Sequence, residues 1–294
     1  MRYCHVGSEL AITAWHDDRM QIEGRVVAVT GGGGGIGAGL CRAFAANGAK
    51  AVAVAYIDGE AAQAVADEIA AGGDVATLAM RVDVGTEDDV RAFVQRTEGE
   101  LGPIGLFCAN AGIMVAGGID VADDDWDRIW RVNVKSHIYA ARAVIPLMAE
   151  RGGGYLVHTA SAAGLLTQLG AAPYAVTKHA VVALAEWLAI TYADAGIKVS
   201  CLCPQAVETA MTGPLSKMQR PSSAGSAASD GVLQPADVAA VVLACIAEET
   251  FLILPHDQVG TYEKRRADDR DRWLRGMQRA QAAIADDLKR LGRA

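Results

Sequence analysis

Short, continuously hydrophobic runs alternate along the chain with longer segments in which apolar residues recur every three or four positions. Such runs are typical of strands buried on both faces of a parallel sheet, and the longer spacing is typical of helices. The predicted strands are residues 25–30, 51–56, 75–82, 104–109, 155–160, 198–203 and 251–254. The predicted helices are residues 36–47, 59–71, 86–98, 124–150, 174–194 and 235–249. This alternation predicts a single-domain α/β fold, a doubly wound parallel sheet of seven strands with helices on both faces.

Three regions fall outside this alternation. Residues 1–23 show no periodicity and are predicted to be an extension outside the core, preceding a main domain over residues 24–260. Within that domain, residues 205–234 are predicted to form a substrate loop, because Ser, Gly, Ala and Pro dominate its second half. Residues 261–294 are predicted to carry one amphipathic helix over 262–292. Its arginines alternate with aspartates, so we interpret them as a solvated helix face rather than as an anion-binding patch.

Composition narrows the possible functions. The 294 residues are 51% hydrophobic and carry a formal net charge of −8, which gives no basic footprint for nucleic acid. The six cysteines show neither a CxxC pair nor metal-ligand spacing, a usage typical of a reducing compartment. Residues 152–177 lack charged side chains, but their glycines, proline and polar residues argue against a membrane span. With no recognisable signal peptide, these features predict a cytoplasmic protein without metal, nucleic-acid or membrane binding.

The stretch TGGGGGIG, residues 30–37, raises the question of what requires so much bare backbone. Each glycine weakens regular structure by about 0.5–1 kcal/mol relative to alanine. The run follows a predicted buried strand and opens a predicted helix, the context in which glycines let backbone approach a pyrophosphate at a helix N-terminus. A side chain at Gly31, Gly35 or Gly37 would occupy space needed by phosphate or by the strand–helix contact. This context favours a nucleotide site over a flexible linker.

The glycine stretch resembles the TGxxxGxG motif of the short-chain dehydrogenases/reductases, and further motifs follow in that family's order. Residues 109–112, ANAG, resemble its NAG motif, and residues 203–209 resemble its PG-x-x-x-T segment with Gln205 where the family usually has glycine. Its catalytic asparagine and its Ser…Tyr-x-x-x-Lys pattern are matched by Asn133, Ser161, Tyr174 and Lys178. The resemblance covers about residues 24–260 and implies a Rossmann fold.

The resemblance implies that Tyr174 exchanges a proton with the substrate oxygen. A free phenol has a pKa near 10, and lowering it to about 7 takes roughly 4 kcal/mol. The ammonium of Lys178, on the same helix face, and a positively charged oxidised nicotinamide could supply that energy. Ser161 would hydrogen-bond the substrate oxygen, and Asn133 would hold a water that links Lys178 to a proton relay. Because no GxSxG elbow is present, we interpret the nearby His158 and His179 as structural.

The resemblance also implies a site for a nicotinamide dinucleotide. Tyr56 stands where NAD-specific members usually have an aspartate, and Asp58 follows two residues later. Because nearby carboxylates repel a 2′-phosphate, we expect NAD, without excluding NADP, with Asp58 and the Tyr56 hydroxyl on the adenine ribose. The full set of predicted cofactor-binding residues is Gly31, Gly35, Ile36, Gly37, Tyr56, Asp58, Asp83, Val84, Asn110, Ala111, Gly112, Tyr174, Lys178, Val207 and Thr209.

These features predict an NAD(P)-dependent oxidoreductase that moves a hydride between nicotinamide and a secondary alcohol or ketone. Two alternatives are an NADPH-dependent ketoreductase of acyl-type substrates and a non-catalytic nucleotide-sensing protein. Met211, Leu215 and Met218 in the substrate loop favour an apolar small-molecule substrate. Surplus apolar residues in 124–150 and 174–194 predict an interface, and the resemblance to a family that commonly pairs these two helices implies a homo-oligomer, specifically a tetramer.

Overall fold

The hydrophobic runs form one parallel sheet. The computed structural model describes residues 19–211 and 230–290. Its strands are β1 (Val26–Thr30), β2 (Ala51–Tyr56), β3 (Ala76–Arg81), β4 (Ile104–Ala109), β5 (Gly154–Thr159), β6 (Ile197–Leu202) and β7 (Leu252–Ile253). They pair in the spatial order β3-β2-β1-β4-β5-β6-β7, with parallel registers throughout. The predicted doubly wound, seven-stranded fold is confirmed.

The helical segments connect these strands. Their bounds are α1 (Gly35–Ala46), α2 (Gly59–Ala71), α3 (Glu87–Glu100), α4 (Asp123–Trp130), α5 (Ser136–Glu150), α6 (Ala172–Thr191), α7 (Pro235–Ala247), α8 (Gln258–Asp268) and α9 (Arg270–Arg290). In the ranges 19–211 and 230–290, none of these helices is long and apolar enough to cross a bilayer.

Each face of the sheet is covered by its own hydrophobic layer. Leu156 of β5 faces the layer formed with α3, α5 and α6, which includes Phe93 and Val181. Its neighbour Tyr155 faces the layer formed with α1, α2 and α7, which includes Phe44. Successive side chains of a strand point to opposite faces, so a strand covered on both sides must be apolar at nearly every position. This explains why the strands appear in the sequence as uninterrupted hydrophobic runs.

The strand order reverses between β1 and β4. The chain leaves β1 toward β2 on one side and returns from β3 to β4 on the other. In open α/β sheets, the loops that diverge at such a point leave a crevice at the carboxyl ends of the strands, where ligands bind. The glycine stretch follows β1 and residues 109–112 follow β4, so both border this crevice.

The predicted helix 124–150 contains a local irregularity. α4 and α5 are joined by a π-helical turn at Arg131–Lys135, which includes Asn133. A π-turn widens the helix by one residue and occurs often at functional sites. In this wider turn the Asn133 side chain points toward Ile113, with which it forms two hydrogen bonds.

The C-terminal segment is two helices, and the prediction of one continuous helix over 262–292 was wrong. The break falls at Asp269, whose backbone is extended, with φ −147° and ψ 89°. Its side chain accepts a hydrogen bond of 2.8 Å from the Arg272 amide. Asp269 therefore serves as an N-cap for α9, a role in which aspartate competes with helix continuation.

The end of the N-terminal extension reaches the core. Ile22 is 8% exposed, and Met20 packs against the same layer as α1 and α2. The segment predicted to lie outside the core therefore contributes two apolar side chains before β1. Residues 1–18 of that extension lie outside the described residues, as do 212–229 of the predicted substrate loop and 291–294 of the C-terminal segment.

Candidate active site

A cavity of about 810 Å³ opens at the carboxyl ends of the strands. Most of the residues predicted for the site line it: Gly31, Gly35, Ile36, Tyr56, Asp83, Val84, Asn110, Ala111, Gly112, Ser161, Tyr174, Lys178, Val207 and Thr209. Three predicted residues, Gly37, Asp58 and Asn133, do not line it. The structure thus brings together residues that are up to 178 positions apart in sequence, from Gly31 to Thr209.

The glycine stretch needs bare backbone for two different reasons. Gly31 has a positive φ of 71°, and a Cβ there would lie 2.9 Å from the Cα of Ala111. A Cβ at Gly37 would overlap the carbonyl of Gly31, so Gly37 permits the tight turn from β1 into α1 without facing the cavity. These positions leave the N-terminus of α1 open to the cavity, which suits an anionic pyrophosphate.

Hydrogen bonds tie the ends of β1, β4 and β5 together beside this turn. The Thr30 hydroxyl accepts from the Asn110 amide at 3.0 Å, and the Asn110 side-chain amide donates to the Thr30 carbonyl at 3.1 Å. The Thr159 hydroxyl donates to Oδ1 of Asn110 at 3.1 Å. Because both the nitrogen and the oxygen of its side-chain amide are hydrogen-bonded, Asn110 holds the cavity wall in a fixed position.

Tyr174 and Lys178 occupy successive turns of α6. Tyr174 is 8% exposed and Lys178 is 3% exposed. The Lys178 ammonium donates to the Thr159 carbonyl at 2.9 Å and lies 5.6 Å from the centre of the Tyr174 ring. The main-chain carbonyl therefore orients the ammonium beneath the phenol.

Asn133 lies behind the cavity wall, close to Lys178. Its Oδ1 accepts from the Ile113 amide at 2.8 Å, and its Nδ2 donates to the Ile113 carbonyl at 3.0 Å. A Cβ added to Gly112 would lie 3.3 Å both from this Oδ1 and from the Lys178 ammonium. Asn133 and Lys178 thus approach each other across Gly112, and the side chain of Asn133 fixes the strand-to-loop segment after β4.

Ser161 begins a short 3₁₀ turn directly after β5. Its hydroxyl accepts from the Ala163 amide at 3.1 Å and donates to the Pro204 carbonyl at 3.4 Å. These bonds hold the hydroxyl beside Tyr174, which lines the same cavity. Ser161 and Tyr174 can therefore contact one substrate oxygen.

Burial shifts the pKa of both Tyr174 and Lys178. Desolvation raises the pKa of the Tyr174 phenol, and the neighbouring Ser161 hydroxyl partly opposes this rise. Desolvation lowers the pKa of Lys178 to about 8. The phenolate is thus disfavoured by burial alone, so its formation depends on positive charge placed beside it.

The two histidines near the site have structural partners. His158 is fully buried, and its Nδ1 lies 2.9 Å from Nδ1 of His137. Nδ1 of His179 lies 2.8 Å from the Ala175 carbonyl within α6. Neither histidine forms a hydrogen bond with the Ser161 hydroxyl, whose hydrogen bonds among the described residues run to Ala163 and Pro204. Among the described residues, no group of three or more His, Cys, Asp and Glu is placed to hold a metal.

At the opposite end of the cavity, the end of β2 packs on the glycine stretch. The Tyr56 ring lies against Gly33, and Tyr56 lines the cavity. Asp83 also lines it, and its Oδ1 accepts from the Gly85 amide at 2.9 Å. Asp58 instead caps α2: its Oδ1 accepts from the Glu60 amide at 2.9 Å.

The segment after β6 forms the wall opposite the glycine stretch. A Cβ at Gly35 would lie 3.0 Å from Cγ2 of Thr209, so the two segments meet across the cavity. Gln205 lines the cavity, and its amide donates to Nδ1 of His256 at 3.2 Å. The backbone at this position is thus fixed by the buried imidazole of His256, a residue to which no sequence motif pointed.

The C-terminal helices contribute four residues to the cavity lining that the sequence analysis missed. Tyr262 and Arg265 of α8 and Trp273 and Met277 of α9 all face it. The apolar spacing of this segment predicts that one helix face is buried, but it does not show which surface covers that face.

Comparison with known proteins agrees with this geometry. The family model described as short chain dehydrogenase matches residues 25–220. The chain belongs to the short-chain dehydrogenase/reductase family. A 3beta-hydroxysteroid dehydrogenase 2 from Eggerthella lenta is 36% identical over 191 residues, 64% of this chain and 73% of the relative. A meso-2,3-butanediol dehydrogenase from Serratia marcescens is 30% identical over 235 residues, 80% of this chain and 92% of the relative.

A solved structure extends the similarity to the fold. The crystal structure of a short chain dehydrogenase/reductase from Burkholderia phymatum in complex with NAD has a TM-score of 0.75 and 29% sequence identity. The match covers 86% of this chain and 96% of that one. The chain is therefore an enzyme, an NAD(P)-dependent oxidoreductase that interconverts a secondary alcohol and a ketone. The predicted family, reaction class and cofactor class are confirmed.

Proposed function

We propose that Tyr174 is the general acid/base of this oxidoreductase and that Ser161, Lys178 and Asn133 support it. The observation that carries the proposal is the burial of the Tyr174–Lys178 pair beside the Ser161 hydroxyl at the edge of one cavity. A phenol and a serine hydroxyl that converge on one point can bind a carbonyl or alcohol oxygen and stabilise its negative charge.

The proposed proton path runs from the substrate oxygen through Tyr174 toward Lys178. During oxidation the phenolate oxygen of Tyr174 takes the alcohol proton, and during reduction the phenol returns it. The Lys178 ammonium, held by the Thr159 carbonyl, stabilises the phenolate by charge. Asn133 supports this path by fixing the backbone of Ile113, directly after Gly112, across which Asn133 and Lys178 approach each other. Water exclusion is supported by the apolar lining of the cavity around Tyr174.

The remaining predicted residues fit a dinucleotide. The N-terminus of α1 suits the pyrophosphate, Asp83 and Val84 suit the adenine end, and Val207 and Thr209 suit the nicotinamide end. Gly37 supports this site indirectly, through the turn that it permits. When bound, the nicotinamide supplies or accepts the hydride, and its oxidised ring adds positive charge beside Tyr174.

We propose NAD as the preferred cofactor, by about fivefold in kcat/KM, which corresponds to about 1 kcal/mol. Support comes from Tyr56, which lies against the glycine stretch, and from the carboxylates of Asp58 and Glu60 directly after it. One observation favours NADP: Arg81 of β3 pairs in register with Tyr56. Arg81 is thus a basic residue directly beside the last residue of β2 in the sheet.

Steady-state kinetics with both cofactors and a panel of secondary alcohols and ketones test this proposal. The expected result is turnover with a higher kcat/KM for NAD(H). Asp58→Arg should narrow or reverse the preference, whereas Arg81→Ala should leave NAD kinetics unchanged. A higher kcat/KM with NADP, lost in Arg81→Ala, would assign the 2′-phosphate to Arg81. Tight cofactor binding without any turnover would favour the nucleotide-sensing alternative, and selective turnover of acyl thioester ketones with NADPH would favour the ketoreductase alternative.

We further propose that the enzyme is a homotetramer that pairs α5 and α6 with those of other subunits. α6 carries exposed apolar side chains, with Val176 48%, Trp187 56% and Ile190 79% exposed. Apolar residues grouped on one helix are typical of an interface. Light scattering at micromolar concentration should give the tetramer mass, and Ile190→Glu should reduce it. A monomeric wild-type protein would contradict this.

A cytoplasmic location is proposed on the state of the cysteines. Five of them, Cys41, Cys108, Cys201, Cys203 and Cys245, are buried thiols rather than disulfides, as expected of small core residues in a reducing compartment. Fractionation of cells that produce the tagged protein tests this, and recovery from the periplasmic or secreted fraction would contradict it.

A further inference from the structure

The C-terminal helices close one end of the cavity with a mixture of apolar and charged groups. Trp273 and Met277 of α9 give this end an apolar surface, continuous with Leu166, Leu169 and Met211 from the main domain. Arg265 of α8 lies in the same wall. A substrate that fills this end therefore meets apolar surface and one guanidinium.

Charge is scarce in this cavity. Among the described residues that line it, the charged ones are Asp83, Lys178 and Arg265. Lys178 is buried and donates to the Thr159 carbonyl. Asp83 lies in the loop that follows β3, at one edge of the sheet. Arg265 is thus the charge that remains for the substrate.

Arg265 lies on a helix that follows the edge strand opposite to the one before Asp83. α8 follows β7, the strand at the opposite edge from β3. Six spacings separate these edge strands, a distance of about 29 Å at about 4.8 Å per spacing. The adjacent Arg266 lies 3.5 Å from Nε2 of His179, the residue after Lys178. Arg265 therefore belongs to the catalytic side of the cavity, and a 2′-phosphate on the adenine ribose is not its ligand.

Two carboxylates near Arg265 have other partners. Asp268 pairs with Lys264 at 2.7 Å on the outer face of α8. Asp230 accepts from the Tyr262 hydroxyl at 3.0 Å. Within residues 19–211 and 230–290, no carboxylate forms an ion pair with Arg265. Arg265 is exposed, as predicted for a solvated helix face, but it also lines the cavity, where its guanidinium donors can reach a ligand.

We infer that Arg265 binds a carboxylate of the substrate, whose apolar body lies against Trp273 and Met277 while its hydroxyl or keto carbon faces Tyr174. The planar guanidinium matches a carboxylate through two parallel hydrogen bonds, which adds orientation to charge. This inference rests on the proposed function, because it takes Tyr174 as the reacting end. It narrows the substrate class to hydroxy or oxo acids with an extended apolar segment between the two groups.

A chain-length series of oxo acids tests this. The probes are (ω−1)-oxo carboxylates of about six to sixteen carbons and the methyl ester of each, reduced with NADH. We expect one range of lengths in which the acid exceeds its ester in kcat/KM by about tenfold or more. Arg265→Gln should lower this acid-to-ester ratio about tenfold, because kcat/KM falls for the acid and stays the same for the ester. Arg265→Lys should give a ratio between those of the wild-type enzyme and Arg265→Gln. Lys264→Gln removes a charge from the outer face of α8 and should leave the ratio unchanged.

Binding provides a measurement that does not depend on turnover. Saturated carboxylates of the same lengths, titrated calorimetrically into the NADH-bound protein, should bind about tenfold more weakly to Arg265→Gln. The carboxylate assignment is overturned if acids and esters turn over at equal rates. It is also overturned if Arg265→Gln leaves the acid-to-ester ratio of kcat/KM unchanged. Either result leaves the oxidoreductase roles intact. Carboxylate binding that depends on Arg265 without turnover of any probe supports the assignment and counts against the role proposed for Tyr174. Absence of Arg265-dependent binding at every length overturns the assignment.

Discussion

The ammonium group of Lys178 lies 5.6 Å from the centre of the Tyr174 ring. At an effective dielectric constant of about 20, a charge at this distance stabilises a phenolate by about 3 kcal/mol. That energy lowers the pKa of the phenol by about 2. It opposes desolvation, which raises the pKa of Tyr174.

Replacing this charge should therefore shift the pH dependence of alcohol oxidation. In Lys178→Met, we expect the midpoint of the log kcat/KM profile to rise by about 2 pH units, with a loss of up to about 100-fold below it. The matched control is Lys198→Met on β6, which removes a surface lysine paired with Glu249 at 3.0 Å. A profile in Lys178→Met that keeps the wild-type midpoint would contradict the charge effect.

The buried His137–His158 pair should make stability depend on pH. Desolvation lowers the pKa of His158 to about 4 and holds that of His137 well below its ordinary value of 6.5. Since the unfolded chain takes up these protons near pH 6.5, the stability is fully present above that pH. It falls as the pH drops toward 4, by about 1.4 kcal/mol per pH unit for each histidine.

Urea unfolding midpoints between pH 7.5 and 5 measure this dependence. The double substitution His137→Leu/His158→Leu removes both partners of the pair, which leaves no buried imidazole unpaired. We expect it to flatten the profile between pH 6.5 and 5. An unchanged slope in the double variant would assign the acid sensitivity to other groups.

Shortening the N-terminus should have a sharp limit. A chain that begins at Met20 should retain turnover and stability, because Met20 and Ile22 still pack against the core. A chain that begins at Glu23 loses both side chains and should be less stable by about 2 kcal/mol or more. Thermal unfolding and specific activity of the two shortened chains check this. Loss of activity in the chain that begins at Met20 would show that residues 1–19 have a role of their own.

The sheet could be predicted closely from the sequence. β2 and β4 coincide with the predicted runs at 51–56 and 104–109, because strands covered on both faces are apolar throughout. Tyr174 and Lys178 could be placed together from their spacing, since residues four positions apart lie on the same face of a helix. Family, reaction class and cofactor class followed from the motifs.

Other features left no signal in the sequence pattern. The π-turn at Asn133 changes the backbone hydrogen-bond pattern of the helix but leaves the spacing of apolar residues along the sequence unaltered. Asp269 stands inside a regular periodic pattern, and only its cap geometry shows the break. Asp58 fits either a ribose contact or an N-cap from its position alone, and the structure shows the cap. The position of α8 and α9 against the cavity depends on tertiary packing, which periodicity does not specify.

Tyr174→Phe tests the central claim, that this phenol carries the proton in hydride transfer. The substitution removes one oxygen from a buried ring and keeps the packing of α6. We expect kcat for alcohol oxidation with NAD to fall by about 100-fold or more, while the NADH dissociation constant changes less than about threefold. Tyr192→Phe at the end of the same helix serves as the control and should keep wild-type kcat. A loss in Tyr174→Phe of only a few fold, with cofactor affinity intact, would contradict the assignment of Tyr174 as the general acid/base.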